Sequence, residues 1–272
     1  IMVGYQWYEP DNFSRNKNFF IATARSYDFG GDKTSELIYM GYSCTFLNYW
    51  GINGSVFFAP RATDNQRTRG GLKMLAPSNY DIGLGGYSDS RNKFVFDFYS
   101  DYSKNEFGGE GIYFSTGITW KPTSYFSLSV SPDYSYNHAV AQYLGKINDG
   151  TATATYGKRY LFGELNQNTI SASIRLNWTF TPTLSLQLYL QPYISVGKYD
   201  KFKELARPNT FDLNVYGENG STIMKDTTGT YIIDPDGIGP ATSFGIGDPN
   251  FNYKSLRGNA VLRWEYLAGS TI

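Results

Sequence analysis

The chain has 272 residues with 24 basic and 24 acidic side chains, so its formal charge is zero and it lacks the basic excess of a nucleic-acid binder. One cysteine, Cys44, and one histidine, His138, exclude an internal disulfide and any Cys/His metal cage. With 24 Tyr, 19 Phe and 5 Trp, 29 Gly against a usual share of about 7%, and no apolar run near the ~18–20 residues of a membrane-spanning helix, composition alone describes a soluble all-β protein.

The order of the residues points elsewhere, because apolar side chains recur with a period of two. Residues 1–8 already read as strand. In 36–48, Ile38, Met40, Tyr42, Cys44 and Phe46 share one phase, which makes Cys44 a small hydrophobe on the apolar side. Phe94, Phe96 and Phe98 alternate with Val95, Asp97 and Tyr99. Ile112, Phe114, Ile118 and Trp120 alternate with Tyr113, Ser115 and Thr119. Phe126, Leu128, Val130 and Tyr134 alternate with Ser127, Ser129, Ser131 and Asp133. From Ile170 to Phe180 the even positions are Ile, Ala, Ile, Leu, Trp and Phe, and from Leu184 to Val196 they are almost all Leu, Ile or Val. Only Thr181-Pro182-Thr183 separates these two runs, so they form a hairpin. Ala260, Leu262, Trp264 and Tyr266 repeat the pattern near the end.

Strands are predicted over 1–8, 17–28, 36–48, 52–61, 66–76, 79–88, 93–103, 111–121, 124–136, 138–147, 153–163, 169–181, 184–198 and 256–267, about fourteen in all. The nearest thing to a helix is Lys201 to Ala206, one or two turns at most. His138 reads as a surface side chain near a turn. Many of the strands exceed the ~5–6 residues usual in globular sheets. Ten residues at ~3.3 Å each, tilted by ~40°, rise about 25 Å, the height of an outer-membrane apolar band.

A soluble sandwich also alternates, so the turns decide between the two architectures. Trp120 precedes Lys121-Pro122-Thr123, Trp178 and Phe180 precede Thr181-Pro182-Thr183, and Trp264 and Tyr266 precede Ala268-Gly269. By strand counting these turns fall at one end, as an interfacial aromatic girdle requires. The longest connection, about 199–255, falls at the other. The expectation is an antiparallel transmembrane β-barrel of the outer-membrane type, a single domain over 1–272 with about fourteen strands visible and fourteen to eighteen in the complete protein. Residue 1 and residue 268 both count to the girdle side. Ser270-Thr271-Ile272 looks like the start of another strand, and no export signal precedes Ile1, so the chain reads as a fragment of a longer protein.

Four segments also carry a family likeness: Arg67-Thr68-Arg69-Gly70-Gly71; Gln142-Tyr143-Leu144-Gly145; 180–208, FTPTLSLQLYLQPYISVGKYDKFKELARP; and 251–271, FNYKSLRGNAVLRWEYLAGST. From about residue 60 onward the chain resembles a Gram-negative outer-membrane family known mainly as a conserved domain of unknown function. In that family a C-terminal barrel-like domain follows a carbohydrate-binding family-9-like β-sandwich. Leu72, where the family pattern leads one to expect Pro, and Leu267-Ala268, where it shows Arg-Pro, are departures that affect turns. The resemblance implies a preceding sandwich with a glycan-related role and no established activity.

The polar phase of the strands, expected to face the lumen, holds Asp97, Asp101, Asp133, Arg175, Asn177, Gln187, Arg263 and Glu265. Net neutrality gives no selective field, which favours charges that pair with one another over a selective pore lining. Asp97 and Asp101, four apart on one strand, are roughly 13 Å apart by rise, wider than the ~5–9.5 Å of glycosidase carboxylate pairs. No catalytic, cofactor-binding or metal-ligating residue is therefore assigned, and the chain reads as non-enzymatic. Asp234-Pro235-Asp236-Gly237 and Gly247-Asp248-Pro249-Asn250 are ordinary turn formers rather than a calcium loop. Eight aromatics, Tyr199, Phe202, Phe211, Tyr216, Tyr231, Phe244, Phe251 and Tyr253, mark the long connection as an ordered cap or partner surface.

The leading expectation is an outer-membrane β-barrel of a Gram-negative bacterium, acting as anchor, scaffold or conduit for an exported, glycan-related module or a larger membrane assembly. Its expected partners are the lipid bilayer and lipopolysaccharide, then other outer-membrane proteins or surface glycan. The alternatives are an open porin or substrate-specific channel, and a soluble secreted β-sandwich that binds glycan.

Overall fold

The computed structural model describes residues 1–267 and 269–271. Among them the chain forms eighteen strands, and the 3₁₀ turn Thr153–Thr155 is the one helical segment. The strands are β1 (Met2–Trp7), β2 (Ser14–Tyr27), β3 (Lys33–Phe46), β4 (Gly51–Ala59), β5 (Ala62–Asp64), β6 (Met74–Ala76), β7 (Asn79–Tyr87), β8 (Phe94–Asn105) and β9 (Glu110–Thr123). There follow β10 (Phe126–Asn148), β11 (Lys158–Thr181), β12 (Leu184–Leu205), β13 (Leu213–Val215), β14 (Thr222–Lys225), β15 (Tyr231–Asp234), β16 (Phe244–Ile246), β17 (Phe251–Leu267) and β18 (Ser270–Thr271).

The fold is all-β and antiparallel throughout. One large sheet follows the path β1-β2-β3-β4-β7-β8-β9-β10-β11-β12-β17-β18, with β13 paired to β12; β14-β15-β16 and β5-β6 are small separate sheets. The path is open: among the described residues β1 and β18 are its two ends and do not pair with each other. The meander follows from the sequence, since most strands are closed by a short turn and joined to the next in the chain, the exceptions being the connections 60–78 and 206–250.

Several expected boundaries change. Residues 66–76 are not a sheet strand; most of the segment is turn, and its ends pair as the two-stranded β5-β6. The predicted strands 124–136 and 138–147 are one strand, β10, and 153–163 and 169–181 are largely one strand, β11. Eleven of the fourteen expected strands therefore remain on the main path, and β18, beyond the fourteen, makes twelve. Lys201–Leu205 is the end of β12, not a helical turn, and the long connection shrinks to 206–250. β1 runs toward the girdle end, so Ile1 lies away from that end; its ammonium donates to Thr23 O at 2.8 Å. Ser270-Thr271 forms β18 as expected, while Ala268 and Ile272 lie outside the described residues.

β10, β11 and β12 have 23, 24 and 22 residues, and only the parts nearer the girdle end belong to the sheet proper. β9 stops opposite His138 and β17 begins opposite Gly197, so residues 139–148, 158–165 and 198–205 continue as a three-stranded tongue. Register shifts at Ala139/Gln142, Tyr143/Gly145 and Phe162/Glu164 lie where the tongue leaves the sheet. Such bulges bend and twist a strand.

Among the described residues, ordinary hydrophobic core lies around this tongue. One cluster comprises Met74, Ala141, Tyr160, Phe162, Leu205 and Phe211; the other joins Leu161, Phe202, Tyr216 and Ile233. The aromatics of the 206–250 connection thus pack on the chain's own strands. The rest of the sheet buries only Cys44 among its large or small hydrophobes.

Candidate functional site

The main sheet has one apolar and one polar face, and their exposures are the reverse of a soluble protein's. On β9 the apolar-phase residues Ile112, Phe114, Ile118 and Trp120 are 38–50% exposed, whereas Tyr113, Ser115 and Thr119 between them are half-buried and Gly117 is buried. On β7, Ile82 and Leu84 are more than half exposed while Gly83 and Gly85 are buried. The polar face is therefore the sheltered, inner side of the curl and the apolar face the outer one.

All eight predicted polar residues share the inner face. Asp97 lies opposite Gly117, Asp101 opposite Tyr113 and Asp133 opposite Ser115. Arg175 is paired with Ser129, Asn177 with Gln187, and Arg263 with Ser185, with Glu265 two residues further on. They do not pair as ions, contrary to the expectation. Asp133 Oδ1 accepts from Ser171 Oγ at 2.6 Å, and Asp101 Oδ2 accepts from Tyr99 at 3.4 Å. Arg175 sits over the Tyr189 ring at 5.3 Å, and Glu265 Oε1 accepts from Gly269 N at 2.9 Å. Among the described residues the ion pairs lie elsewhere. The physical reason is spacing: the aspartates sit on β8 and β10, Glu265 shares β17 with Arg263 two residues away, and Arg175 lies on β11 opposite Ser129, so no opposite charges among the eight become ladder partners. Glycine supplies the room these side chains use. A Cβ at Gly117 would collide with both Asp97 carboxylate oxygens.

The girdle residues occupy the outer face at one end. Phe94, Trp120, Phe126, Trp178 and Phe180 form a continuous aromatic chain, with successive ring centroids 6.1, 5.3, 5.6 and 4.4 Å apart. Trp264 and Tyr266 lie 6.1 Å apart on β17. The turns 8–13, 47–50, 88–93, 124–125 and 182–183 all belong to this end, so Trp7 and Trp50 join the other three and all five Trp gather there. Sequence reasoning misses two of the five. Cys44 stays in the apolar phase, between Lys17 and Ile52 on the ladder, but is buried rather than exposed on the outer face. His138 lies within β10, not at a turn, and its Nδ1 is 2.9 Å from Asn166 Oδ1.

The opposite end is crossed by residues 60–78, a strap between β4 and β7. Lys73 Nζ reaches Asp28 Oδ2 at 2.7 Å and Asp32 Oδ2 at 2.6 Å in the β2–β3 turn. Its neighbour Met74 is fully buried against Ala141, Tyr160 and Phe162 of the tongue. The β2–β3 and β10–β11 turns are six strand spacings apart along the path, about 29 Å in a flat sheet at ~4.8 Å each. Two adjacent residues touch both sides, so the sheet must be strongly curled. Further ties are Asn209 N donating to Lys73 O at 2.8 Å, Leu75 N donating to Thr210 O at 3.1 Å, and the bidentate Arg61–Glu106 pair. Arg67 and Arg69 of the strap, together with Gln142 and Tyr143 of β10, border one polar cavity of about 540 Å³. Two short segments that carry the family likeness thus meet here.

The tongue is locked by buried ions. Arg159 donates from Nη1 to Glu204 at 2.7 Å and from Nε to Asp149 at 2.6 Å, and Tyr216 donates to Glu204 Oε2 at 2.9 Å. Lys203 pairs with Glu164, which Lys201 also approaches at 3.1 Å. Burial works against the Asp149 charge, but hydrogen bonds from Thr151 and Arg159 outweigh it and hold the carboxyl down at about 2. Glu164 is likewise held low, its lysines overcoming its burial. Burial, then the Glu204 charge, pushes the Tyr216 phenol up. A carboxylate with a depressed folded-state value stabilises the fold above its ordinary value, 3.8 for Asp149, and that contribution is lost as pH falls toward 2. Proteolysis of the tongue and 206–250 segment by an acid protease should therefore accelerate steeply between about pH 4 and pH 2 while the large sheet stays protected. Equal sensitivity at both pH values would contradict the assignment.

The two Asp-bearing turns of the long connection use their acids locally. Asp234 Oδ1 accepts from Gly237 N at 2.9 Å, Asp236 Oδ2 from Ala241 N at 2.9 Å, and Asp248 pairs with Lys225.

Fold and faces define an all-β antiparallel protein with a bare apolar outer face, a sheltered polar inner face and a strapped mouth. The chain belongs to the family described as a domain of unknown function (DUF5916), whose profile matches residues 1–231. That span holds three of the four segments noted in the sequence and leaves 251–271 outside. No curated protein and no solved structure matches the chain.

Proposed function

We propose that the chain is a transmembrane β-barrel of a Gram-negative outer membrane, a non-enzymatic anchor or scaffold and occluded conduit serving an exported, glycan-related module or larger assembly. The observation that carries this reading is the inverted exposure: an apolar outer face with a polar inner one, and all five Trp at one end. Fully burying a Leu, Ile or Phe is worth about 1.5–3 kcal/mol, so an uncovered face of this kind is untenable in water. A bilayer covers it, and an interfacial level suits amphipathic indole rings. The girdle end is then the periplasmic side and the tongue and strap the outer surface, where lipopolysaccharide lies. The strap favours a closed mouth over an open porin, and the soluble-sandwich alternative supplies no second sheet to cover the outer face.

Trp fluorescence tests it. In vesicles, lipids brominated near the headgroup end of their chains should quench strongly, and lipids brominated at the chain ends weakly, because every Trp sits at one interfacial level. Quenching by neither, with release of the protein from cell membranes by salt alone, would sink the reading.

A further inference from the structure

We propose that the cavity beneath the strap binds a small hydroxyl-rich organic anion, a sugar acid in size and chemistry, with Arg69 as its anchor. This goes beyond the barrel reading, since the cavity exists whether or not the sheet closes in a membrane.

The cavity holds about 540 Å³, within the ~300–1,000 Å³ of ordinary ligand sites. Its charge is settled by partners. Asp64 is occupied by Arg67, whose Nε donates to it at 2.9 Å. Lys104 and Glu110 are ladder neighbours of opposite sign. Arg69 has no carboxylate or other side-chain hydrogen-bond partner among the described residues; it rests over the Tyr143 ring at 5.4 Å. Two acids, Asp64 and Glu110, stand against three bases, Arg67, Arg69 and Lys104, so the lining carries one net positive charge, and Arg69 is the guanidinium left without a carboxylate, a planar fork suited to two carboxylate oxygens.

Backbone geometry also points to a built position. Arg69 adopts φ +49°, left-handed space a non-glycine residue rarely enters, and Gly70 follows at +83°. Thr68 beside them is fully buried and donates to Leu72 O at 2.7 Å, fixing the turn. Strain of this kind persists where the surroundings over-determine it, often at ligand sites.

The remaining lining selects hydroxyls. Asn79, Ser103, Asn137 and Gln142 line the cavity with no side-chain hydrogen-bond partner among the described residues. Each amide both donates and accepts, which matches adjacent hydroxyls that do the same. An apolar ligand would strand these groups, and a cation would meet the free arginine.

The test is calorimetric titration of the refolded full chain in detergent micelles with glucuronate, with glucose as the neutral probe and inorganic phosphate as the small anion. Glucuronate should bind at least about tenfold more tightly than either. Arg69→Gln should abolish that advantage over glucose, Arg69→Lys should keep part of it, and Asn137→Ala, elsewhere in the lining, should weaken glucuronate too. Heat-modifiable gel mobility reports whether each variant is folded, and Asn137→Ala carries the test should Arg69→Gln misfold. Absence of glucuronate binding, equal binding of phosphate, or affinity unchanged in the folded variants would overturn the proposal. None of these outcomes alters the bromolipid quenching that tests the barrel.

Discussion

Arginine at Leu190 should destabilise the protein in lipid vesicles by about 2–4 kcal/mol, while arginine at Gln187 should cost far less. Leu190 is 42% exposed on the outer face, paired with Ile174 and Gly258 near the middle of the shared part of β12. Gln187 is on the inner face between Asn177 and Val261. The size of the effect separates the surroundings. In water, a charge at a half-exposed position usually changes stability by no more than about 0.5 kcal/mol, and relieving an exposed apolar patch improves solubility. In a bilayer the same charge meets hydrocarbon. Urea unfolding in vesicles, read by heat-modifiable mobility, measures both variants. Equal damage at the two positions, or none at Leu190, would remove the two-faced assignment together with the membrane that depends on it.

Which parts of this architecture the sequence displays follows from how strictly each segment alternates. Along 94–98, 112–120, 170–180 and 184–196 the period of two is nearly continuous, with Thr116 and Pro192 the departures, and the faces read there agree with the ladder pairs of the structure. The strap is different. Arg67-Thr68-Arg69-Gly70-Gly71 has no apolar phase and two adjacent glycines, signs of a turn, yet reading 66–76 as a strand adds one to the count. That one extra strand reverses the orientation of everything before it, which is why Trp7 and Trp50 fall outside the predicted girdle and Ile1 is assigned to the wrong end. Splitting β10 and β11 adds two strands, so orientations after them are unaffected. Both strands divide in the sequence because their alternation lapses where the tongue begins, and that lapse is physical: both faces of the tongue are covered, by Phe162's cluster and Leu161's cluster, so no polar phase is required. The cavity is illegible for another reason. It joins residue 69 to residues 79, 137 and 142, a juxtaposition made by curl rather than by local pattern.

If the sheet closes as proposed, replacing residues 65–73 by a short Gly-Ser linker should turn a protein that conducts poorly in planar bilayers into one with steady current at least about tenfold larger, because side chains alone rarely seal a barrel of a dozen or more strands. The replaced stretch carries Arg67, Arg69 and Lys73, and with them the tie to Asp28 and Asp32 that draws the strap across the mouth. β4 and β7 remain directly paired from Gly51–Tyr87 to Ala59–Asn79, so the ladder needs nothing from the excised residues. A graded version keeps the strap and loosens its seat. Met74 is fully buried, so Met74→Ala should cost the local packing about 2–5 kcal/mol and produce brief openings in place of steady current. Gly71 offers a third route: a Cβ there would collide with the buried Tyr160 ring, so Gly71→Val should eject the strap and mimic the replacement. Large currents from the unmodified chain would promote the open-channel alternative. Silence from all three variants would move the obstruction deeper, onto the inner-face side chains of Arg175, Gln187 and Arg263, and would free the strap for ligand binding alone.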